Sequence, residues 1–123
     1  MHKKPLISVI TVCYNSYEML QRTIKSVRMQ TYSEIEYIVI DGASKDSTLR
    51  LIKENEDIIN LWISEPDNGL YYAMNKGLDL ANGDYVIYIN AGDMFYMPDT
   101  LEKIFENHQD DVDIYYGDTM ILA

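Results

Sequence analysis

Apolar residues along this chain follow two alternating rhythms. Leu6 to Cys13 is an almost unbroken apolar run, the pattern of a strand buried on both faces. Tyr17, Leu20, Ile24 and Val27 then recur at three- and four-residue spacing, which predicts an amphipathic helix. Asn15 stands where it could cap that helix, with Glu18 three residues on as a capping-box partner. Tyr37 to Ile40 reads as a second strand, and Asp46 to Glu54 as a second helix with Leu49 and Ile52 facing inward. Ile58 to Ile63 reads as a third strand, closed by the turn signal Pro66-Asp67-Asn68-Gly69. Tyr71, Met74, Leu78 and Ala81 form the next helical stripe, which Asn82-Gly83 ends. Tyr85 to Ile89 is a fourth strand. Pro98 opens a helix with Leu101, Ile104 and Phe105 inward, and Val112 to Tyr116 is a fifth strand.

The order βαβαβαβαβ predicts a mainly parallel sheet with helices on both faces. Sheets of this class bind ligands at the carboxyl ends of their strands, so the residues just after each strand carry the functional information. After the first strand comes Thr11-Val12-Cys13-Tyr14-Asn15. It has no glycine, so the dinucleotide fingerprint is absent, and it has no acidic pair of the kind a phospho-accepting receiver needs. After the second comes Asp41-Gly42-Ala43-Ser44-Lys45-Asp46. A carboxylate at Asp41 is placed to accept hydrogen bonds from a ribose hydroxyl or a base N–H. Asp46 reads as a helix-capping residue. After the fourth comes Asn90-Ala91-Gly92-Asp93. Here local evidence leaves two readings of Asp93 open: a turn aspartate bonded to its own loop, or a metal ligand of the sparing kind that Mg²⁺ uses beside substrate phosphates.

Composition narrows the classes. A hydrophobic share of 47% suits a globular core and excludes a disordered chain. No apolar run approaches the roughly 18 to 20 residues of a membrane span. The basic start, Met1 to Pro5, reads as a short tail ahead of a buried strand, not a signal peptide. A net charge of −10 with no basic stripe excludes nucleic acid as a partner, though a divalent cation can bring a diphosphate to an acidic protein. The single cysteine, Cys13, reads as a buried small hydrophobe and fits a cytoplasmic location. The apolar stretch Thr119 to Ala123 looks like the start of a further strand, so the expectation is a truncated domain with an exposed C-terminal edge prone to self-association.

Four runs occur in order: "SVITVCYN", "YIVIDGASKDST", "EPDNGLYYAMNKGL" and "GDYVIYINAGD". Together they resemble the ordered motifs of family 2 glycosyltransferases with a GT-A fold, over essentially the whole chain. The resemblance implies an inverting sugar transfer from a nucleotide-diphosphate donor, with a UDP-sugar expected, to a glycan or lipid-linked acceptor. It implies work in cell-surface polysaccharide synthesis, on the cytoplasmic side and at the inner face of the membrane. It implies that residues 1–123 are the donor-binding N-terminal part, with the acceptor-binding part absent. Asp41 matches the aspartate that contacts the base, and Tyr14, Asn15 and Thr11 match the edge of the nucleotide pocket. Asn75 matches a position close to the donor, and Gly92 lies in the metal motif. Asp93 matches the aspartate that holds Mg²⁺ or Mn²⁺. Asp67 and Asn68 belong to a turn and could be structural. Two departures stand out. Many relatives carry an acidic residue where this chain has Gly92, and an arginine where it has Met74, with Lys76 read as a solvated helix lysine. The general base has no visible candidate; Asp118 is read as a strand-end residue near the site. The alternative is a non-catalytic nucleotide-sugar-binding module.

Overall fold

The computed structural model describes residues 4–106 and 114–116. Five strands and four helices alternate: β1 Ile7–Cys13, α1 Tyr17–Arg28, β2 Ile35–Asp41, α2 Thr48–Glu54, β3 Leu61–Ser64, α3 Leu70–Leu80, β4 Tyr85–Tyr88, α4 Thr100–Glu106 and β5 Ile114–Tyr116. All the pairings are parallel, in the order β3-β2-β1-β4-β5. β1 is the centre, matched residue for residue with β2 from Ile7↔Ile35 to Cys13↔Asp41 and with β4 from Ile7↔Tyr85 to Ile10↔Tyr88.

Alternation along β1 and β2 supplies two cores. Ile7, Val9, Tyr37 and Val39 face a large cluster with Leu20, Ile24 and Val27 of α1, Leu51 and Ile52 of α2, and Leu101 and Phe105 of α4. Ile10, Ile38, Ile40, Val86 and Tyr88 face the other side, where Ala73 of α3 packs. Helices therefore cover both faces, as the sequence predicts. β5 is the edge strand beyond β4; Val112, Asp118 and the apolar end 119–123 lie outside the described residues.

The structure corrects two helix expectations. Ser16, not Asn15, precedes the first turn of α1, and its side chain makes no capping bond. Asn15 takes a left-handed φ of 45° and bonds elsewhere. On α3 the buried residues are Ala73 and Gly77; of the expected stripe, Met74 and Ala81 pack half-buried against the core, while Tyr71 is 79% and Leu78 40% exposed. The reason is distance: a Cβ at Gly77 would lie 2.5 Å from Ile10 Cγ2, so the small residues sit directly over the sheet and the larger ones flank them.

A polar latch at the opposite strand ends fixes the register of β1, β2 and β4. The Glu36 carboxylate accepts from Ser8 Oγ (2.7 Å), Asn82 N (2.8 Å) and Asn82 Nδ2 (2.9 Å), and Ser8 Oγ accepts from Gly83 N (2.8 Å). A Cβ at Gly83 would stand 2.6 Å from Ser8 N, so only glycine lets this turn close on β1. Partial burial pulls the Glu36 carboxyl upward, but the Asn82 and Ser8 hydrogen bonds outweigh it and hold the group below its ordinary value of 4.5. A carboxyl lowered by folding stabilises above that ordinary value and loses its contribution as pH falls through the folded-state value. Glu36→Gln should therefore cost about 1 kcal/mol at neutral pH, and the gap should close below pH 4.5. Urea denaturation across pH measures it; a gap independent of pH would contradict this.

Candidate functional site at the strand ends

Strand order reverses at β1: the chain runs outward through β2 and β3, then returns to β4 and β5 on the other side. The loops leaving β1 and β4 carry α1 and α4 to one face while α3 packs on the other, and a crevice opens at the carboxyl ends between the sheet and the start of α3. It is a cleft of about 650 Å³, within the range of small-molecule sites. Val12, Cys13 and Tyr14 line it from β1, Gly42 from β2, Asp67 from the turn after β3, and Asn90 and Ala91 from β4. Gly69, Leu70 and Ala73 bring the start of α3 to its mouth.

Asp41 lies beneath this cleft. Its side chain is fully buried on the α1 and α2 face, and its two oxygens gather four donors. Ser44 N (2.8 Å) and Ser64 Oγ (2.7 Å) reach Oδ2; Cys13 Sγ (3.4 Å) and Ser44 Oγ reach Oδ1. One carboxylate thus ties the ends of β1, β2 and β3 together. Burial, with Asp41 beside it, pushes the Cys13 thiol far up its scale, which removes it as a nucleophile. Above Asp41, the β1–α1 and β2–α2 loops interlock. Asn15 N donates to Ser44 Oγ (2.8 Å), Asn15 Oδ1 accepts from Lys45 N (2.8 Å), and Ala43 holds a left-handed φ of 64°. Ser47 holds the N-cap position of α2, and Asp46, one residue before it, accepts from Thr48 N at 2.9 Å through Oδ1; the Thr48 bonds hold its carboxyl below the usual range.

The β4 end is held by α1. Thr23 Oγ1 donates to Asp93 O (2.6 Å) and accepts from Gly92 N (3.0 Å), while Asn90 Oδ1 accepts from Val12 N (3.2 Å). Asp93 Oδ2 accepts from Asn90 N at 3.2 Å, so this carboxylate shapes its own loop. Gly92 has φ 102°, a conformation costly for any side chain, so the backbone itself disfavours a second carboxylate at that position. No group of three or more His, Cys, Asp or Glu converges among the described residues. The donor set fits a divalent cation only in the sparing form, one protein carboxylate with the remaining oxygens supplied by a bound diphosphate.

Lys76 is not the solvated lysine of the sequence reading. It pairs with Asp67 and with Glu65 (2.9 Å), and those bonds raise its pKa. The pair clamps the turn after β3 to α3, so Asp67, read from sequence as a turn residue, is carried into the cleft wall. At the start of α3 the first helical bond runs from Ala73 N to Gly69 O (3.2 Å), leaving the amides of residues 70–72 without helical partners at the cleft mouth.

Of the residues singled out from sequence, Tyr14 lines the cleft. Asn15 lies in the loop beside Tyr14, and Gly92 and Asp93 lie just beyond Ala91. Asp41, which is buried under the Ser44 loop, and Thr11 and Asn75 are outside the lining as well. Thr11 is buried in the core, with its hydroxyl 2.8 Å from Tyr37 Oη and 2.7 Å from Ile89 O, because its place in β1 points it to the α1 face. Asn75 is exposed and outside the lining, because α3 turns Ala73 and Gly77 to the sheet.

The profile of Glycosyl transferase family 2 matches residues 8–121, and the chain belongs to that family. It is 43% identical over 107 residues to an uncharacterized glycosyltransferase of Mycobacterium tuberculosis, covering 86% of this chain and 41% of that protein. It is 31% identical over 131 residues to a PGL/p-HBAD biosynthesis glycosyltransferase of Mycobacterium bovis, covering 97% of this chain and 48% of the relative. The chain thus spans less than half the length of these relatives. Among solved structures, TarS of S. aureus in complex with UDP-GlcNAc superposes with a TM-score of 0.74 at 26% identity, over 80% of this chain and 29% of that one. A mannosyltransferase of Pyrobaculum calidifontis in complex with GDP-Man and Mn²⁺ gives 0.71 at 27%, over 80% and 31%. The parallel sheet flanked by helices is the GT-A architecture of these glycosyltransferases.

Asp41→Ala should orphan the four donors gathered beneath the cleft. The expected result is a loss of about 1–3 kcal/mol in urea unfolding, together with faster hydrogen exchange at the Ser44 amide. An unchanged exchange rate would show that the loop does not depend on this carboxylate.

Proposed function

We propose that this chain is the donor-binding part of an inverting glycosyltransferase. The enzyme would move a sugar from a nucleoside-diphosphate donor, a UDP-sugar, to a glycan or lipid-linked acceptor in cell-surface polysaccharide synthesis on the cytoplasmic side. The observation that carries the reading is the cleft at the strand-order reversal, walled by the ends of β1 to β4 and capped by the start of α3. The complexes of similar proteins with UDP-GlcNAc and with GDP-Man and Mn²⁺ support it.

Each part of the cleft has a task in this reading. The exposed Tyr14 ring offers a flat face to a base. Asp41 positions the Gly42–Ser44 loop against which the base rests, and meets the base itself only where Ser44 Oγ yields its place. The unpartnered amides of residues 70–72 face the diphosphate from a helix N-terminus, which offsets the missing arginine at Met74. Asp93 would hold Mg²⁺ or Mn²⁺ together with the donor phosphates. When bound, that cation stabilises charge on the departing diphosphate. The acceptor site and general base are assigned to parts of the longer protein beyond this chain. The isolated chain is therefore expected to bind donor without transferring sugar, since lost base assistance costs about 10² to 10⁴ in rate and lost positioning roughly 7 to 11 kcal/mol.

Calorimetry with UDP and Mn²⁺ tests the assignment. Asp93→Ala should abolish the Mn²⁺-dependent part of binding. Asp99→Ala should leave it intact, because Asp99 precedes α4 and pairs with Lys103 at 3.5 Å. Equal losses would remove the metal role from Asp93. Mn²⁺-independent binding with no turnover in the full-length protein would favour the non-catalytic module.

A further inference from the structure

A second concavity, about 310 Å³, lies away from the donor cleft between the second half of α1 and residues 94–98. Its wall is mostly apolar and carries two cationic side chains. Arg22 and Lys25 come from α1, with Met29 just past its end; Met94, Tyr96 and Met97 come from the facing loop. No carboxylate lines it, although the whole chain carries a net charge of −10. Neither Arg22 nor Lys25 forms an ion pair among the described residues. Met29 is 52% exposed, Met97 56% and Tyr96 72%. Met19, also exposed, extends the stripe one turn further along α1 to reach Gly92.

The loop is held in this outward display. Phe95 N donates to Ser26 Oγ (3.1 Å), Gln30 Nε2 donates to Met97 O (2.8 Å), and Thr31 N donates to Pro98 O (2.8 Å). Gln30 Oε1 in turn accepts from Leu101 N (3.0 Å). These bonds and the buried Phe95 spend the inward-facing groups of the segment on α1. What remains outside is an aromatic ring and two thioethers beside two free cations.

We propose that this face docks the protein on an anionic lipid surface. Arg22 and Lys25 would meet headgroup phosphates, and Tyr96, Met97 and Met29 would enter the headgroup–acyl boundary. Charge narrows the partner: two cationic side chains without an ion pair among the described residues, set in an apolar wall, are complementary to an anionic surface with apolar depth. Chemistry agrees, because Tyr favours the boundary between water and hydrocarbon, and Lys and Arg lay their stems on apolar surface with the charge in water. Size argues against a protein partner, since ten residues line the concavity and a stable protein interface takes about 20–30 a side. Thr23, next to Arg22 on α1, grips the Asp93 loop, so docking here would hold the strand-end cleft close to the membrane. The proposal rests on the patch alone and not on the donor-site reading.

Vesicle flotation at about 0.05 and 0.5 M salt tests it, using phosphatidylcholine vesicles with and without phosphatidylglycerol. The chain should float with phosphatidylglycerol vesicles only, and binding should fall steeply at the higher salt. Arg22→Glu/Lys25→Glu should weaken it roughly tenfold or more, and Tyr96→Ser/Met97→Ser should weaken it at both salt concentrations. Circular dichroism and UDP binding of both variants should match the parent, which separates this outcome from failure of the donor site. Absent flotation, equal flotation with both vesicle types, or flotation untouched by both variants would overturn the proposal. So would self-association, seen by sedimentation, that the variants abolish without any vesicle binding; the face would then belong to a second copy of the chain.

Discussion

Everything in this fold hangs on β1 having a parallel neighbour on each side, reached by chain running in opposite directions. Pairing with β2 and with β4 uses the backbone groups on both edges of β1 and buries both of its faces, which is why Leu6 to Cys13 has to be so nearly apolar. The same arrangement sends α1 to one face and α3 to the other. At the carboxyl ends, above Cys13 and Ala91, a gap is left between the sheet and the start of α3, and this is the cleft.

Polar groups around that gap are arranged so that the cleft keeps its shape when empty. Asp41 binds three strand ends together from below, Thr23 fixes the Asp93 loop from α1, and Lys76 fixes the Asp67 turn from α3. Each clamp joins an element of one strand unit to another, so the cleft walls are held by side-chain chemistry as well as by the sheet. Left-handed backbone at Asn15 and Ala43 is tolerated because the interlocked loops determine it from both sides. Such strain at the rim of a ligand cleft is where strain is commonly kept.

Much of the architecture was legible from the sequence, because a strand buried on both faces has to be continuously apolar and the helices between strands have to be amphipathic. The strand ends pointed to the edge of the sheet at which the cleft lies. What escaped the sequence depended on distances between segments. The face of α3 was misread because the close approach of Gly77 to Ile10 reverses the usual weight of large and small residues. Thr11 has neighbours at the strand end that suggest a rim, while its place in β1 turns it into the core, where its hydroxyl meets that of Tyr37. Asn15 looked like a cap because its preference for caps is local, whereas its partner Lys45 is thirty residues away. Lys76 looked solvated because nothing local predicts that a turn nine residues earlier folds back beneath it. Asp41 was found as a strand-end carboxylate, but its burial beneath Ser44 is a property of the loop packing alone.

The central claim is that the strand-order reversal builds a nucleoside-diphosphate site. Amide chemical shifts followed during a titration with UDP and Mg²⁺ test it most directly. The account predicts shifts concentrated at Cys13, Tyr14, Gly42, Gly69, Leu70 and Ala91, the backbone that walls the cleft. Shifts gathered instead around residues 22–30 and 94–98, or none at saturating UDP, would contradict it.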